Sequence, residues 1–366
     1  MARNQSKSRL IRCAALAPVA LTSVFLTASA DGQGAQADAM YSVRGRITVL
    51  AADGNRAAVS TQVKPGCGRV VVWTAPGEGS IRVKPGILGC AGDGVTRLAL
   101  GGGRVAWIEQ GGGNDLEMTV MEAVLSGGGG KQLEFVTNGD RAGGDPTGDW
   151  VGRLLGSGSL LAYNSWTQTC DRRGDQECGQ NDPFLRRTNE KLVRIADGRR
   201  LVITGGSVAY PLLAVGGGRM AVGTAGAVSI RAASGAQVAT VPYGVGTARA
   251  VALSKTRLAI ERTLTLDLYD PASGAEVKSL PLGSAASLRL VDVTSKLALL
   301  RGPHRLALVR LSDGKLISFP LGSGAAATLG GGRLTEAGLF YAYNTRSPSL
   351  PGRIVFEPLG RLLVRF

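Results

Sequence analysis

The stretch Arg257 to Leu282, RLAIERTLTLDLYDPASGAEVKSLPL, holds three short apolar β runs: Leu258 to Ile260, Leu264 to Tyr269 and Val277 to Leu280. Such residues suit a pleated, half-buried surface, and Asp270 to Ala275, DPASGA, suits a hairpin turn between the last two runs. Comparable units recur along the chain. The sequence therefore describes a repeated all-β architecture.

Two sets of turns alternate along it. Gly-Gly-Gly-Arg occurs three times, at Gly101 to Arg104, Gly216 to Arg219 and Gly330 to Arg333, each between apolar runs. Glycine tolerates the positive φ of a tight turn, so each is read as one. Equivalent turns at Asp53 to Arg56, Gly156 to Ser159, Ser254 to Arg257 and Thr294 to Lys296 make seven. The second set is Pro76 to Gly79, Ser126 to Gly130, Ala196 to Arg199, Ala233 to Ala236, Ala272 to Ala275, Ser312 to Lys315 and Pro358 to Arg361, also seven. Two hairpin turns per unit mean four antiparallel strands per unit. Arg219, Arg257, Lys296 and Arg333 follow one another at intervals of 38, 39 and 37, close to the repeat of WD40-like blades.

Turns such as ADGR, ASGA and SDGK followed by an apolar strand and a Leu-Gly ending, as in Ser312 to Gly322, resemble those of WD40-like and quinoprotein-like seven-bladed β-propellers. The resemblance covers roughly residues 43 to 366 and concerns the fold alone. It implies one seven-bladed propeller with blades at about 45–86, 87–137, 148–205, 206–243, 244–282, 283–321 and 322–366, the first strand being Arg46 to Ala52 and the last Arg361 to Phe366. Closure of the ring then rests either on packing between the first and last blades or on Tyr41 to Arg44 joining the last blade. The Gly-His and Trp-Asp signatures of true WD40 repeats are absent from the sequence, as are sialidase Asp-boxes and the vicinal cysteine pair of quinoprotein dehydrogenases.

The first residues set the expected compartment. Arg3, Lys7, Arg9 and Arg12 precede an apolar run from Cys13 to Leu26, and Thr27 to Ala30 ends in a small-x-small pattern. Residues 1–30 are thus read as a signal peptide, with Ala37 to Ala39 as a second cleavage candidate, residues 31–42 as a linker and residues 43–366 as the propeller. The chain is expected outside the cytoplasm, secreted or associated with the envelope, with no transmembrane segment once the signal is removed. Removing four basic residues lowers the formal charge from +15 to +11, which still favours anionic partners. Sparse aromatics not interleaved with basic residues speak against nucleic acid.

Removal of Cys13 leaves Cys67, Cys90, Cys170 and Cys178, an even number that suits an oxidising compartment. Of three connectivities, Cys67 with Cys90 and Cys170 with Cys178 is favoured. No CxxC pair occurs and His304 is the only histidine, so zinc is not expected.

By the geometry that the resemblance implies, the long connections share one face: Asn138 to Asp149, Ser165 to Glu190 and Asn344 to Gly352. Long loops on a rigid scaffold are where binding usually sits. Trp166 opens the second loop after Tyr163, and Tyr343 precedes the third, so these rings are candidate binding residues. Asp171, Asp175 and Asp182 are candidates with them; Asp140, Asp145, Asp149 and Glu177 add to the carboxylates there. A solvated, partly self-paired loop is the preferred reading and calcium the alternative cofactor. Trp73 and Trp107 lie within apolar strands and are expected in the core, and His304 in a turn. No GxSxG nucleophile elbow occurs, Gly127 to Lys131 departs from the phosphate-loop pattern, and a strand follows Gly322 to Ala327 where a dinucleotide site needs a helix.

The sequence thus describes a monomeric, non-catalytic scaffold for a protein or carbohydrate ligand of the cell envelope. The alternative is a secreted polysaccharide hydrolase or lyase that uses the loop carboxylates.

Overall fold

The stretch from Arg257 to Leu282 forms strands at Leu258–Glu261, Thr265–Tyr269 and Glu276–Pro281, with Gly274 at positive φ in the turn. A fourth strand at Ala250–Leu253 pairs with the first of them. The computed structural model describes residues 39–64, 67–77, 80–83, 94–113, 115–127, 129–140, 146–172, 178–179, 181–206, 211–243, 248–320, 327–345 and 351–366. Residues 1–30, read as a signal peptide, lie outside them.

In chain order the strands are β1 (Ala39–Val43); β2 to β5 (Arg46–Asp53, Arg56–Lys64, Cys67–Thr74, Ser80–Val83); β6 to β9 (Gly94–Gly101, Arg104–Gly111, Asp115–Val124, Lys131–Asp140); and β10 to β13 (Gly148–Ser157, Leu160–Cys170, Leu185–Ala196, Arg199–Gly206). They continue with β14 to β17 (Leu212–Gly216, Arg219–Thr224, Ala227–Ala232, Gln237–Pro242) and β18 to β21 (Ala250–Leu253, Leu258–Glu261, Thr265–Tyr269, Glu276–Pro281). Last come β22 to β25 (Arg289–Val293, Leu297–Arg301, Arg305–Arg310, Leu316–Pro320) and β26 to β28 (Ala327–Leu334, Gly338–Thr345, Gly352–Pro358). Each group is an antiparallel meander. β6–β9 and β10–β13 are joined into one eight-stranded sheet through the Asn138 and Gly148 backbones.

The last meander has only three consecutive strands, and β1 supplies its fourth by pairing with β28 from Ala39 opposite Phe356 to Val43 opposite Gly352. Of the two routes to closure left open by the sequence, added pairing by the N-terminal strand is the one observed. Asn344 reinforces it from β27: its side chain accepts from the Ile47 N–H (2.7 Å) and donates to the Ile47 carbonyl (2.8 Å).

Among the described residues the core is divided: seven apolar clusters lie between successive meanders, and one of them joins β26–β28 back to β2–β5. The first strands touch in the same cyclic order, β2 on β6, β6 on β10 and so on to β26 on β2. This is a propeller-like, all-β arrangement. Trp73 and Trp107 are buried in these clusters. First strands carry a register shift against their neighbours at Ile47/Val49, Val95/Arg97, Val151/Leu154, Leu212/Ala214, Leu290/Asp292 and Leu329/Gly331. Such bulges add local twist where the sheets crowd together.

Three expectations are corrected. Arg361 to Phe366 is not a strand, nor Pro358 to Arg361 a hairpin turn: Leu359–Val364 forms helix α1. The fourth-strand position is already taken by β1, and Leu359, Leu362, Leu363 and Phe366 follow the helical period and pack on β23–β25. Gly330 to Arg333 is not a turn either but lies within β26. Its glycines keep the first strand thin: a Cβ on Gly331 would sit 2.9 Å from Leu50 Cβ, and one on Gly332 2.7 Å from a Leu306 methyl. The true turn is Thr335 to Ala337, where the Thr335 N–H donates to the Gly338 carbonyl, as Ser254 does to Arg257 and Thr294 to Leu297. Lastly, much of the Ser165 to Glu190 connection is strand, because β11 and β12 run on to Cys170 and back from Leu185.

The two uses of Gly-Gly-Gly-Arg are separable by substitution. Gly103 has φ +69° and nothing within 4 Å of its missing Cβ, so Gly103→Asn should cost at most about 1 kcal/mol. Gly331→Asn should cost about 2 kcal/mol or more through overpacking. Urea unfolding of the two variants checks this; equal costs would contradict the assignment.

Candidate functional site

Strand length picks out one region. β11 and β12 span 11 and 12 residues, against 4 and 5 for β19 and β20. The β11–β12 hairpin continues the end of its meander opposite the β10–β11 turn. Disulfide Cys170–Cys178 closes its tip, as expected from the sequence, with Cα atoms 5.7 Å apart. Cys90 lies outside the described residues, and so does the Cys67–Cys90 pairing.

Pairing in this hairpin places Trp150 opposite Trp166, and Gln168 opposite Arg187. Alternation along β11 then puts Trp150, Trp166 and Arg187 in one row on one sheet face. The two indoles stack at 6.4 Å with 5° between planes, and the Arg187 guanidinium lies 4.2 Å from the Trp166 ring centre. Gly152 makes room beneath, since a Cβ there would meet Trp166 at 2.5 Å. The Pro146 carbonyl accepts from Trp150 Nε1 and Gln168 Nε2, both at 3.0 Å. The ladder holds the extended hairpin upright, and both faces of the Trp166 ring are covered.

Beyond the ladder the tip combines ion pairs with an exposed aromatic ring. Arg172 pairs with Asp182 at 2.5 Å and stands 5.6 Å from the Phe184 ring centre, while Arg186 reaches Asp171 at 3.4 Å. Asp182 also accepts from the Phe184 N–H. Phe184 is 46% exposed, and Arg186 and Arg187 are exposed beside it.

The other sequence candidates fall elsewhere. Tyr163 is fully buried rather than at a rim; its hydroxyl donates to Glu134, whose other oxygen is 3.2 Å from Arg200. Burial and the Glu134 charge push the Tyr163 phenol far above its ordinary range, which fixes it as a neutral donor tying two meanders. Tyr343 stacks on Tyr341 and directs its hydroxyl at Met40 in β1, so it belongs to the closure. Asp175, Glu177 and Asp145 lie outside the described residues. Asp149 accepts from the Thr167 hydroxyl. Among the described residues no group of three or more metal-ligating side chains gathers. His304 is exposed between β23 and β24.

Sequence reasoning missed Trp150, Phe184, Arg186 and Arg187. The signal was present as alternation: Trp166 and Gln168 share a face with Arg187 once the pairing continues to Cys170.

A second concave feature lies where the first strands end. A cavity of about 310 Å³ is lined by Asp53, Lys255, Asp292, Arg333 and Glu336, with backbone from β10 and β14 between them. Asp53 accepts from the Gly158 N–H at 2.6 Å, and Asp292 accepts from the Leu334 N–H at 2.9 Å with Arg333 at 3.3 Å. Burial raises both carboxyl pKa values against these stabilising partners. Both serve as ties between meanders.

No known protein family matches the chain, and no curated protein matches it. Solved structures that resemble it include a chain of the mitotic checkpoint complex, at 14% identity and TM-score 0.47 over 87% of this chain and 94% of that one. Another is PorZ, described as an essential bacterial surface component of the type-IX secretion system of Porphyromonas gingivalis, at 10% identity and TM-score 0.45 over 87% of this chain. This chain spans 39% of PorZ. At such TM-scores neither bears on what this chain binds; the propeller-like fold rests on strand order and cyclic contacts. Among the described residues no helix is long and apolar enough to cross a membrane.

The raised pKa of Asp292 has a definite sign in stability. A carboxyl that binds its proton more tightly in the native state stabilises that state at low pH, and the contribution is lost as pH rises through the folded pKa. Relative to Asp292→Asn, the wild-type chain should therefore gain stability as pH falls from neutral toward about 4. Urea midpoints across that range check it, and a constant difference would contradict it.

Proposed function

We propose that the chain is an exported, non-catalytic binding scaffold: a single seven-bladed propeller whose β11–β12 hairpin docks a protein partner of the cell envelope. The ring reading is supported by shared clusters in cyclic order, and export by the basic and apolar residues before Ala30. The observation that carries the binding reading is the braced hairpin, with Phe184, Arg186 and Arg187 exposed at and below a disulfide-closed tip. Arginine and aromatic side chains are the commonest anchors of protein interfaces, and a preordered hairpin loses little entropy on binding. Because Trp166 is covered on both faces, a stacked sugar is the less suitable ligand at the hairpin. With Arg172 and Arg186 paired to Asp182 and Asp171, the partner would offer Phe184 an apolar surface and Arg187 a carboxylate. Asp171 and Asp182 are engaged by arginines and Asp149 by Thr167, an arrangement that suits positioning rather than acid–base catalysis.

Envelope proteins retained by the immobilised chain, identified and then titrated individually, should bind a Phe184→Ala/Arg187→Ala variant about tenfold more weakly or worse. Equal affinity for the variant would contradict the assignment.

A further inference from the structure

A second surface lies at the opposite end of the strands, where the turns of β18–β21 and β22–β25 meet α1. A cavity of about 370 Å³ there is lined by Arg257, Lys278, Lys296 and Arg310, with Leu268, Val277, Leu311 and Leu363 as apolar lining. Ser312 and Ser295 complete it, the latter giving both its N–H and its hydroxyl proton to Glu336 at 2.9 Å. No acidic residue is among the described residues that line it. The four cations come from four separate segments: the β18–β19 turn, β21, the β22–β23 turn and the end of β24.

Their own partners leave donors free. Arg310 is paired with Asp313 through two nitrogens, and Lys278 donates to the Ser312 carbonyl at 2.6 Å. Arg257 donates to the Thr256 carbonyl at 2.8 Å, and Asp270 acts on it only at Coulomb range. Among the described residues the Lys296 ammonium has no hydrogen-bonding or ionic partner. An ammonium carries three donors, so Lys278 and Lys296 together offer most of their bonding capacity to the groove. With Arg310 neutralised by Asp313, the charges of Arg257, Lys278 and Lys296 around an apolar lining repel one another, and an anion would relieve that repulsion.

We propose that this groove binds acidic sugar residues of a polysaccharide. Its volume is in the range that small ligands fill. Lysines act as point charges that tolerate carboxylate or sulfate in varied orientation, and Arg257 keeps guanidinium donors beside them. Aliphatic side chains cover the C–H faces of a sugar ring, and the Ser312 hydroxyl suits one of its hydroxyl groups. Among the described residues the groove contains no aromatic ring on which a nucleic-acid base could stack. The site is independent of the β11–β12 hairpin and complements it: one surface engages protein, the other the anionic polymer around it.

Titration of the full chain with a short oligogalacturonate, a sulfated oligosaccharide, a neutral oligosaccharide and polyglutamate tests this. Salt-sensitive binding of either acidic oligosaccharide is expected. Lys278→Ala and Lys296→Ala should each weaken it about fivefold, Lys296→Arg should retain it, and Arg187→Ala on the hairpin should leave it unchanged. All these positions are on the surface, and thermal unfolding verifies that the variants fold. Binding of the neutral sugar as tightly as the acidic ones, affinity for polyglutamate at least as high, indifference to both lysine substitutions, or no binding at all would each overturn the proposal.

Discussion

Everything in this fold depends on the pairing of β1 with β28. A row of meanders that bury their faces only against one another has two raw ends, and each exposes apolar faces and unpaired strand edges. β1 joins the two ends by contributing five residues to a sheet whose other strands come from the far end of the chain. The cluster it completes is the aromatic one: Tyr41 stacks on Trp73, Trp73 meets Phe340 edge-on, and Phe340 lies 4.6 Å from Phe356. Loop-closure entropy grows only slowly with length, so spanning nearly the whole chain costs little more than a shorter closure would. The consequence is kinetic as much as energetic, because pairings this remote in sequence slow folding.

Closure also explains the C-terminal segment. With the fourth-strand position occupied, the residues after Pro358 turn into a helix that seals β23–β25, held by Arg365 against Glu357 and over the Phe319 ring. That helix contributes Leu363 to the basic groove. One pairing at the chain ends thus shapes a surface two meanders away. The tall β10–β13 meander is braced separately: it shares a continuous sheet with β6–β9, and Tyr163, Glu134 and Arg200 lock the two together. A rigid base allows the hairpin to project without a core of its own.

Most of the repeat was legible in the sequence because turns and alternation are local. Turn residues such as Gly217, Gly218 and Gly274 do have the positive φ that their letters suggest. Gly330 to Gly332 misled for a physical reason: glycine serves both left-handed backbone and close approach, and only the neighbour, Leu50 or Leu306, reveals which. LGRLLVRF reads as turn and strand while the fourth-strand position is open, and only the occupation of that position by β1 leaves the segment to form a helix. Trp166 was found as a candidate, but its partners were not, since which side chains share a row depends on how far the pairing continues. The basic groove was invisible for a similar reason. Its four cations are scattered over more than fifty positions, from Arg257 to Arg310, and only the folded arrangement brings them together.

The most direct test of closure compares a chain beginning at Gln36 with one beginning at Arg44, by native-state hydrogen exchange. Without β1, the amides of β28 and β27 should exchange far faster, with protection falling least in β14–β17, far from the junction. Unchanged protection in β28 would mean that side-chain packing alone joins the first and last meanders, and would contradict the dependence of the fold on β1.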